Sequence, residues 1–281
     1  MPIITISRGS YSRGKEVAEK LARKLGYDCV SRDIFLEASS EFNIPEIKLV
    51  RAIHDAPTVL EQFSFGKERY LAYLRSALLQ HVIKDNVVYH GLAGHYFLQG
   101  IPHVLKARII ADFDDRVREE MKRENISEAA ARQILRKDDE ERRKWGLQIY
   151  GIDTWDPNLY DMVLHVSRLT VDDAVDILSE TVHRSAFRTT PASQQIVSNL
   201  ALSAKVLANL ITVAPKITVT SEDGVVYITN ANRALSWTSD DVDEIRAISA
   251  KVEGVKEVIL NDITREPAHQ RDHINPFHNI G

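Results

Sequence analysis

The pattern of apolar and polar positions begins with a β-branched run over residues 3–7, which predicts a strand. A loop bounded by two glycines follows over residues 9–14, and apolar positions then recur at helical spacing up to residue 25. Gly26 is the residue type that commonly ends a helix. The chain therefore opens with a strand, a glycine-bounded loop and an amphipathic helix.

The same alternation of β runs and helical stretches continues to about residue 186. Strands are predicted over residues 27–30, 86–90, 106–111 and 160–166. Helical patterns cover residues 34–42, 44–54, 66–81, 112–124, 127–149 and 171–183. Strands that alternate with helices predict an α/β fold, in which a parallel sheet is flanked by helices. Ligands of such sheets bind where the strands end, so the loops after Ile6, Val30, Tyr89 and Ala111 are expected to converge.

The pattern changes after residue 186, which predicts a second domain. Residues 187–191 are typical of a linker, and a helix is predicted over residues 192–211. Two strands joined by a turn at Asp223-Gly224 form a hairpin signal, and a helix starting at a Ser239 cap and a last strand follow. We therefore expect a domain over residues 1–186 and a small α+β domain over residues 192–264. Residues 265–281 are interpreted as a polar tail rather than a histidine metal site.

Composition narrows the classes of function. The 281 residues are 44% hydrophobic and 27% charged, as in ordinary soluble proteins, and the net charge of −4 does not favour nucleic acid or an anionic membrane. Cys29 is the only cysteine, which excludes a disulfide framework, and we expect it to be buried. There is no apolar run of about 18 residues and no leader pattern, so we expect no transmembrane segment and a cytoplasmic protein. The oligomeric state is not decided by the sequence.

The glycine-bounded loop is a candidate phosphate site. It fits G-x-x-x-x-G-K, in which backbone N–H groups and the start of a helix surround an anion and Lys15 reaches the β- and γ-phosphates. Glu16 stands where the motif has a hydroxyl that ligates Mg²⁺. The alternative is a plain connecting loop with a solvated Lys15, but the strand–loop–helix context favours phosphate binding. The candidate nucleotide-binding residues here are Gly9, Ser10, Tyr11, Ser12, Arg13, Gly14, Lys15 and Glu16.

Residues 132–145 are rich in charges of both signs at helical spacing. The spacing predicts ion pairs of Asp138 with Arg142, Asp139 with Arg143 and Arg136 with Glu140. One interpretation is a solvated helix face. The other is a mobile lid whose cations close on a transferring phosphoryl group, with Lys137 and Arg142 as its catalytic residues.

Other candidate binding residues follow predicted strands. Arg116 lies in the first turns of a helix after the third β run, where it either contacts a nucleotide or is a surface charge. Ser31 and Arg32 suit a second anionic ligand, and Gly91 permits close approach of a backbone. With Asp139 these three form the candidate substrate-binding set. His90 and His95 are interpreted as structural.

Several segments together resemble the cytidylate kinase-like family of P-loop nucleoside-monophosphate kinases. They are residues 3–15, 25–27, 108–124, 134–142, 151–153, 156–157 and 159–178. The resemblance implies a core with helical NMP-binding and LID regions, and transfer of the γ-phosphoryl group of ATP to a nucleoside monophosphate with Mg²⁺. Residues 192–264 resemble a BON domain, a module associated with binding membranes, ligands or partner proteins.

The chain departs from the family pattern at three places. Besides Glu16, residues 90–94 read His-Gly-Leu-Ala-Gly and lack the Gly-Arg-Asp stretch by which cytidylate kinases read the nucleotide. In the lid, Lys137 and Glu141 stand near the family's Arg and Asp. The sequence therefore predicts ATP-dependent phosphoryl transfer to a nucleoside monophosphate or a related small acceptor. The alternative is a non-catalytic nucleotide sensor that signals through the C-terminal domain.

Overall fold

Packing divides the chain into two compact units. One comprises Met1–Asp33 and Lys84–Ser193, and the other comprises Ile34–Ile83 and Gln194–Gly281. The computed structural model describes residues 2–9, 12–31, 34, 66–91, 94–230 and 237–261. The predicted helices over residues 35–54 and the polar tail from residue 265 lie outside the described residues.

The described elements follow the predicted alternation. The β-strands, in chain order, are β1 (Ile3–Arg8), β2 (Asp28–Val30), β3 (Val87–His90), β4 (Val104–Ile110), β5 (Met162–His165), β6 (Ile217–Glu222), β7 (Val225–Asn230) and β8 (Glu257–Asn261). The α-helices are α1 (Gly14–Leu25), α2 (Gly66–Val82), α3 (Gly94–Phe97), α4 (Phe113–Glu124), α5 (Glu128–Tyr150), α6 (Val171–Val182), α7 (Pro191–Leu210) and α8 (Ser239–Ala250). Short 3₁₀ turns occupy Pro157–Leu159 and Ser185–Phe187.

The first unit is built on a five-stranded sheet of order β2-β3-β1-β4-β5 in which every neighbouring pair is parallel. This confirms the predicted α/β fold. β1 lies at the centre because its continuous β-branched run can be buried on both faces, as parallel sheets require. One face is covered by α1 and α6, whose apolar side chains join Ile4, Ile6 and Ile109 in a common core. The residues between them, such as Ser7 and Arg108, point to the other face.

Local signals start and end the helices of this unit. Gly26 adopts a left-handed conformation and ends α1, as predicted. The side chain of Ser127 accepts a hydrogen bond from the amide of Ala130 at the start of α5. Thr170 and Asp173 form a reciprocal capping box at the start of α6. These three helix ends therefore lie at or next to the residues that the sequence indicates, whereas the short helix α3 was not predicted.

The second unit contains α2 and the elements from α7 to β8. β6 and β7 form the predicted antiparallel hairpin, and β8 pairs parallel to β7. Apolar side chains of α7, α8 and this sheet form its core. Ala72 and Tyr73 of α2 pack against Ala208 of α7 and against Ile211, which follows it. The boundary between the units falls after Ser193, close to the predicted linker, and packing groups residues 34–83 with the C-terminal residues.

Two local expectations were wrong. Cys29 is exposed rather than buried, because it lies on β2, an edge strand of the sheet. Burial of part of the side chain still raises the pKa of its thiol. The cap of α8 is Thr238, whose side chain accepts from the amide of Asp241, and Ser239 is the first helical residue.

Candidate functional site

The candidate site begins where β1 ends and the glycine-bounded loop leads into α1. Ser12 is completely buried, and its hydroxyl donates to the carbonyl of Ile109 at 2.8 Å and to that of Gly9 at 3.1 Å. The amide of Gly9 also donates to the carbonyl of Ile109. These bonds tie the loop to the end of β4. The loop is therefore held at the carboxyl edge of the sheet, beside the N-terminus of α1.

The glycines of the loop allow neighbouring atoms to lie close to the backbone, and they do not adopt unusual backbone angles. We expected the two glycines to adopt angles that other residues resist, but neither has a positive φ, and the left-handed residue is Arg13, with φ 62°. A Cβ on Gly14 would lie 2.7 Å from the Cβ of Arg8, and one on Gly9 would lie 3.3 Å from Nη1 of Arg116. Side chains at either position would crowd the strand or the arginine.

Charged side chains surround the first turn of α1. Lys15 is 62% exposed, and its ammonium lies 3.6 Å from the carboxylate of Glu19. Glu16 pairs with Arg13 at 2.8 Å and with Lys20 at 3.3 Å. Glu16 stands where the motif has a hydroxyl residue, and its carboxylate thus already contacts two cations. All of these pairs are between exposed or partly exposed side chains, and that of Lys15, the most exposed, is weak enough to exchange for a phosphate.

Arg116 lies over the start of the loop. It is in the first turns of α4 and is 7% exposed, and a Cβ added to Gly9 would lie 3.3 Å from its Nη1. Asp139 of α5 accepts two hydrogen bonds from its guanidinium, at 3.1 and 2.6 Å. The two predicted residues are therefore neighbours, although the sequence assigned one to the nucleotide and the other to the substrate. A buried cation next to a phosphate loop is arranged to hold an anion.

The charges of α5 pair differently from the predicted pattern. Glu140 pairs with Lys144 at 2.7 Å instead of with Arg136, and Lys137 lies 3.7 Å from Glu141. Arg143 pairs with Asp153 rather than with Asp139, since Asp139 is bound to Arg116. For Asp139 and Arg143 the mismatch arises because partners from α4 and from the segment after α5 replace the local ones, whereas Glu140 takes the other local cation, Lys144.

The candidate catalytic residues of the lid are on an accessible helix. Lys137 is 73% exposed, and Arg142 is partly buried. Both belong to α5, the helix that also carries Asp139. Exposed cations and carboxylates thus share this one helix.

The candidate substrate residues lie at the ends of neighbouring strands. Ser31 follows β2 and Gly91 follows β3, and the two strands pair in register at Val30 and Tyr89. A Cβ on Gly91 would lie 2.5 Å from the hydroxyl of Tyr89, so the backbone there is closely packed. Ser10, Tyr11 and Arg32 lie outside the described residues.

A buried polar cluster was missed by the sequence analysis. Arg108 of β4 donates to the hydroxyls of Ser7 and Tyr160, and the ring of Tyr160 lies 5.0 Å from that of His95. Burial, followed by the charges of Arg108 and Lys106, lowers the pKa of His95 to about 4. The available signal was a charged residue in the middle of a β run that is otherwise apolar.

Searches for a metal site and for a membrane span had negative results within the residues that the structure describes. There, no group of three or more His, Cys, Asp or Glu side chains is placed to hold a metal ion. In the same ranges, no helix is both long enough and apolar enough to cross a bilayer.

The chain is similar to several known proteins. The model of the cytidylate kinase-like family matches residues 3–168. A cytidylate kinase of Sulfolobus acidocaldarius is 28% identical over 183 residues, which are 64% of this chain and 94% of that protein. Similar solved structures include an uncharacterized protein from Eubacterium ventriosum, with 21% identity, a TM-score of 0.50, and coverage of 66% of this chain and 100% of that one. Another is a shikimate kinase from Bacteroides thetaiotaomicron, with 12% identity, a TM-score of 0.41, and coverage of 65% and 99%.

Proposed function

The chain belongs to the cytidylate kinase-like family, and we propose that it transfers the γ-phosphoryl group of ATP to a nucleoside monophosphate or a related small acceptor. The observation that carries the proposal is that Gly9 and Ser12 are anchored to Ile109 beside the start of α1, with the buried Arg116 so near that a Cβ on Gly9 would lie 3.3 Å from its Nη1. Such a loop offers backbone amides and a cation to the phosphates of a nucleotide.

The donor phosphates would bind at the loop and the first turn of α1. Lys15 would exchange its exposed contact with Glu19 for the β- and γ-phosphates. Arg116 is already desolvated, so its attraction for a phosphate is stronger than that of a surface arginine. Asp139 would have to share or release Arg116 when the nucleotide binds, which would couple ATP binding to the position of α5.

The lid cations would act on the transferring group. Lys137 and Arg142 would approach its oxygens, where the transition-state charge accumulates. Ser31, Arg32 and Gly91 would position the acceptor at the neighbouring strand ends. A phosphate acceptor is already a nucleophile, so we assign no general base, and orientation with charge neutralisation supplies the rate enhancement.

Magnesium fits this site as an ion carried mainly by the nucleotide. Mg²⁺ bound to the phosphates would neutralise charge on the transferring group. Among the described loop residues, the hydroxyl of Ser12 is committed to carbonyls and Glu16 is paired with Arg13 and Lys20. The phosphates of ATP and water would therefore supply most of its ligands, which is common for Mg²⁺.

A steady-state assay that couples ADP formation to NADH oxidation tests the proposal. ATP, Mg²⁺ and each of CMP, dCMP, UMP, AMP and GMP are supplied in turn. Turnover that depends on one of these acceptors is expected. ATP binding without acceptor-dependent turnover for any of them would refute the kinase assignment.

The alternative function is a nucleotide sensor without catalysis. It is favoured by Glu16, whose two ion pairs leave the usual hydroxyl position without a metal ligand. In this case binding at the loop would be relayed to a protein or ligand partner of residues 192–264, for which we retain the BON-like assignment. The order of helices and strands from α7 to β8 supports that assignment. We also retain the cytoplasm as the proposed location.

A further inference from the structure

Arg108 is a buried cation that has no acidic partner within the described part of the chain. It is 8% exposed, and both of its hydrogen bonds use Nη1, at 3.4 Å to Oγ of Ser7 and at 3.3 Å to the hydroxyl of Tyr160. Among the described residues, no carboxylate oxygen lies within 4.0 Å of its guanidinium. Two long hydrogen bonds to neutral hydroxyls compensate poorly for removing a guanidinium from water.

The acidic groups nearest to Arg108 are committed elsewhere. Asp153 forms a close pair with Arg143 at 2.6 Å, and Asp161 accepts from the backbone amide of Lys106 at 2.8 Å. The pKa of Asp153 is lowered chiefly by its hydrogen bond with Arg143, and the charge of Arg108 adds only the smallest contribution. The positive charge of Arg108 is therefore not neutralised by direct contact within the described chain.

The unused edge of the guanidinium has a defined shape. Since both bonds use Nη1, Nε and Nη2 have no hydrogen-bond acceptor among the described residues. These two N–H groups point in parallel and form the fork that binds two oxygens of one oxyanion. His95, whose pKa is lowered to about 4, is neutral near pH 7, so it brings no charge of its own to the cluster.

The fork lies at the same edge of the sheet as the phosphate loop but on the other face. Ser7 and Arg108 are paired in the register of β1 and β4, and Gly9 follows Ser7 by two residues. Ile6 and Ile109 face the core formed with α1, so Ser7 and Arg108 face away from that helix. Donor phosphates at the start of α1 would therefore leave Arg108 available for a different anion.

We infer that Arg108 binds the acceptor, and that the group it binds is a phosphate monoester. This inference rests on the proposed function, and it assigns to Arg108 the anchoring role that the sequence gave to Arg32. A phosphate monoester is preferred over a carboxylate because its charge approaches −2 and its three oxygens can engage the fork and the Ser7 hydroxyl together. Arg108 is thus a binding residue that contributes to the choice of acceptor.

Isothermal titration of the full-length chain tests this assignment. The loop is first saturated with the non-hydrolysable analogue AMPPNP, and inorganic phosphate, CMP, UMP, AMP, GMP and the phosphate-free nucleoside cytidine are then titrated. The variants are Arg108→Met, which removes the charge at similar volume, and Arg108→Lys, which retains the charge without the fork. Arg118→Met removes an exposed arginine of α4 and serves as the matched control.

We expect Arg108→Met to weaken binding of phosphate and of the preferred monophosphate by about 10- to 100-fold. Arg108→Lys should recover only part of this loss, and cytidine, AMPPNP and the Arg118→Met control should be unaffected. The melting temperature of Arg108→Met should stay level or rise, because a buried charge without an acidic partner is removed.

The outcomes separate the inference from the proposed function. Unchanged phosphate affinity in Arg108→Met, or a wild type that binds AMPPNP but neither phosphate nor any monophosphate, would overturn the role of Arg108. A lower melting temperature with unchanged affinity would make Arg108 structural. Failure to bind AMPPNP, with phosphate binding that still depends on Arg108, would refute the kinase proposal and leave the anion site standing.

Discussion

Arg13 shows how a single residue can carry strain at a functional loop. Its φ of 62° is costly for a side chain with a Cβ, and it caps α1 without a side-chain hydrogen bond. Its pair with Glu16 is half exposed and contributes little to stability. A glycine would adopt the same angles without the steric cost.

We therefore expect Arg13→Gly to raise the free energy of unfolding by about 0.5–1 kcal/mol, since relief of strain exceeds the added freedom of the unfolded chain. Chemical denaturation measures the change. Arg13→Ala removes the same side chain but keeps the strain, so it should give no gain. Equal stability of the two variants would contradict this account of the loop.

His95 links the stability of the first unit to pH. It is 4% exposed, and its pKa is lowered to about 4, chiefly by burial. An unfolded chain, with an ordinary histidine pKa near 6.5, takes up a proton between pH 6.5 and 4 while the folded chain does not. The stabilisation is thus complete above about pH 6.5 and is lost as the pH falls toward 4.

The expected loss from His95 reaches at most about 3 kcal/mol over that interval. Urea unfolding of the wild type and of His95→Leu at pH 7.0, 5.5 and 4.5 measures this loss. The difference between the two proteins isolates the contribution of His95, because the other titrating groups affect both. The wild type should lose more stability than the variant on acidification. Parallel pH profiles would show that His95 is not the group responsible.

At the scale of elements, the sequence predicted the helix ends that are determined by interactions between neighbouring residues. Gly26 ends α1 and Ser127 starts α5, because these residues act on their own backbone neighbours. The pairing of Asp139 with Arg116 was not predictable, because its partners are 23 residues apart and meet only when α4 and α5 pack. Arg108 was missed for the same reason, as its significance depends on neighbouring strands.

Thr170 tests the local part of this reasoning. Its hydroxyl accepts from the amide of Asp173 at 3.1 Å, and its own amide donates to the Asp173 carboxylate at 2.8 Å. Replacing Thr170 with Ala should cost about 1 kcal/mol, and Thr170→Ser should restore most of it. Thermal unfolding of the three proteins provides the measurement. An undiminished melting temperature in the alanine variant would mean that the box does not stabilise α6.

At the scale of the whole molecule, the parallel sheet flanked by helices followed from the alternation of periods along the sequence, but the order of its strands, β2-β3-β1-β4-β5, did not. The grouping of residues 34–83 with the C-terminal unit could not be predicted from the sequence. The period of a helix shows that it has an apolar face, but it does not show which distant helix covers that face. Ala72 and Tyr73 pack against Ala208 and Ile211, which are more than 130 residues away in sequence. Long-range packing of this kind is invisible to local pattern.

The sequence alone predicts that a chain lacking residues 189–281 keeps nucleotide binding. The packing of α2 adds a second expectation for a chain ending at Ser193, because Ala72 and Tyr73 would lose their cover. Such a chain should bind the dye ANS and self-associate in size-exclusion chromatography, even if it still binds ATP. If the truncated chain is monomeric and does not bind the dye, the conclusion that the C-terminal residues cover the apolar side chains of α2 is wrong.

Transfer of label from [γ-³²P]ATP to a nucleoside monophosphate tests the central claim most directly. Thin-layer separation distinguishes a labelled diphosphate from inorganic phosphate released by hydrolysis. The account predicts a labelled diphosphate with at least one of CMP, dCMP, UMP, AMP and GMP, at a turnover of about 1–100 s⁻¹. Lys15→Ala should lose this transfer by more than tenfold, whereas the control Lys24→Ala, which alters an exposed pair with Asp176 on the same helix, should retain it. ATP binding without a labelled diphosphate from any acceptor would contradict the account.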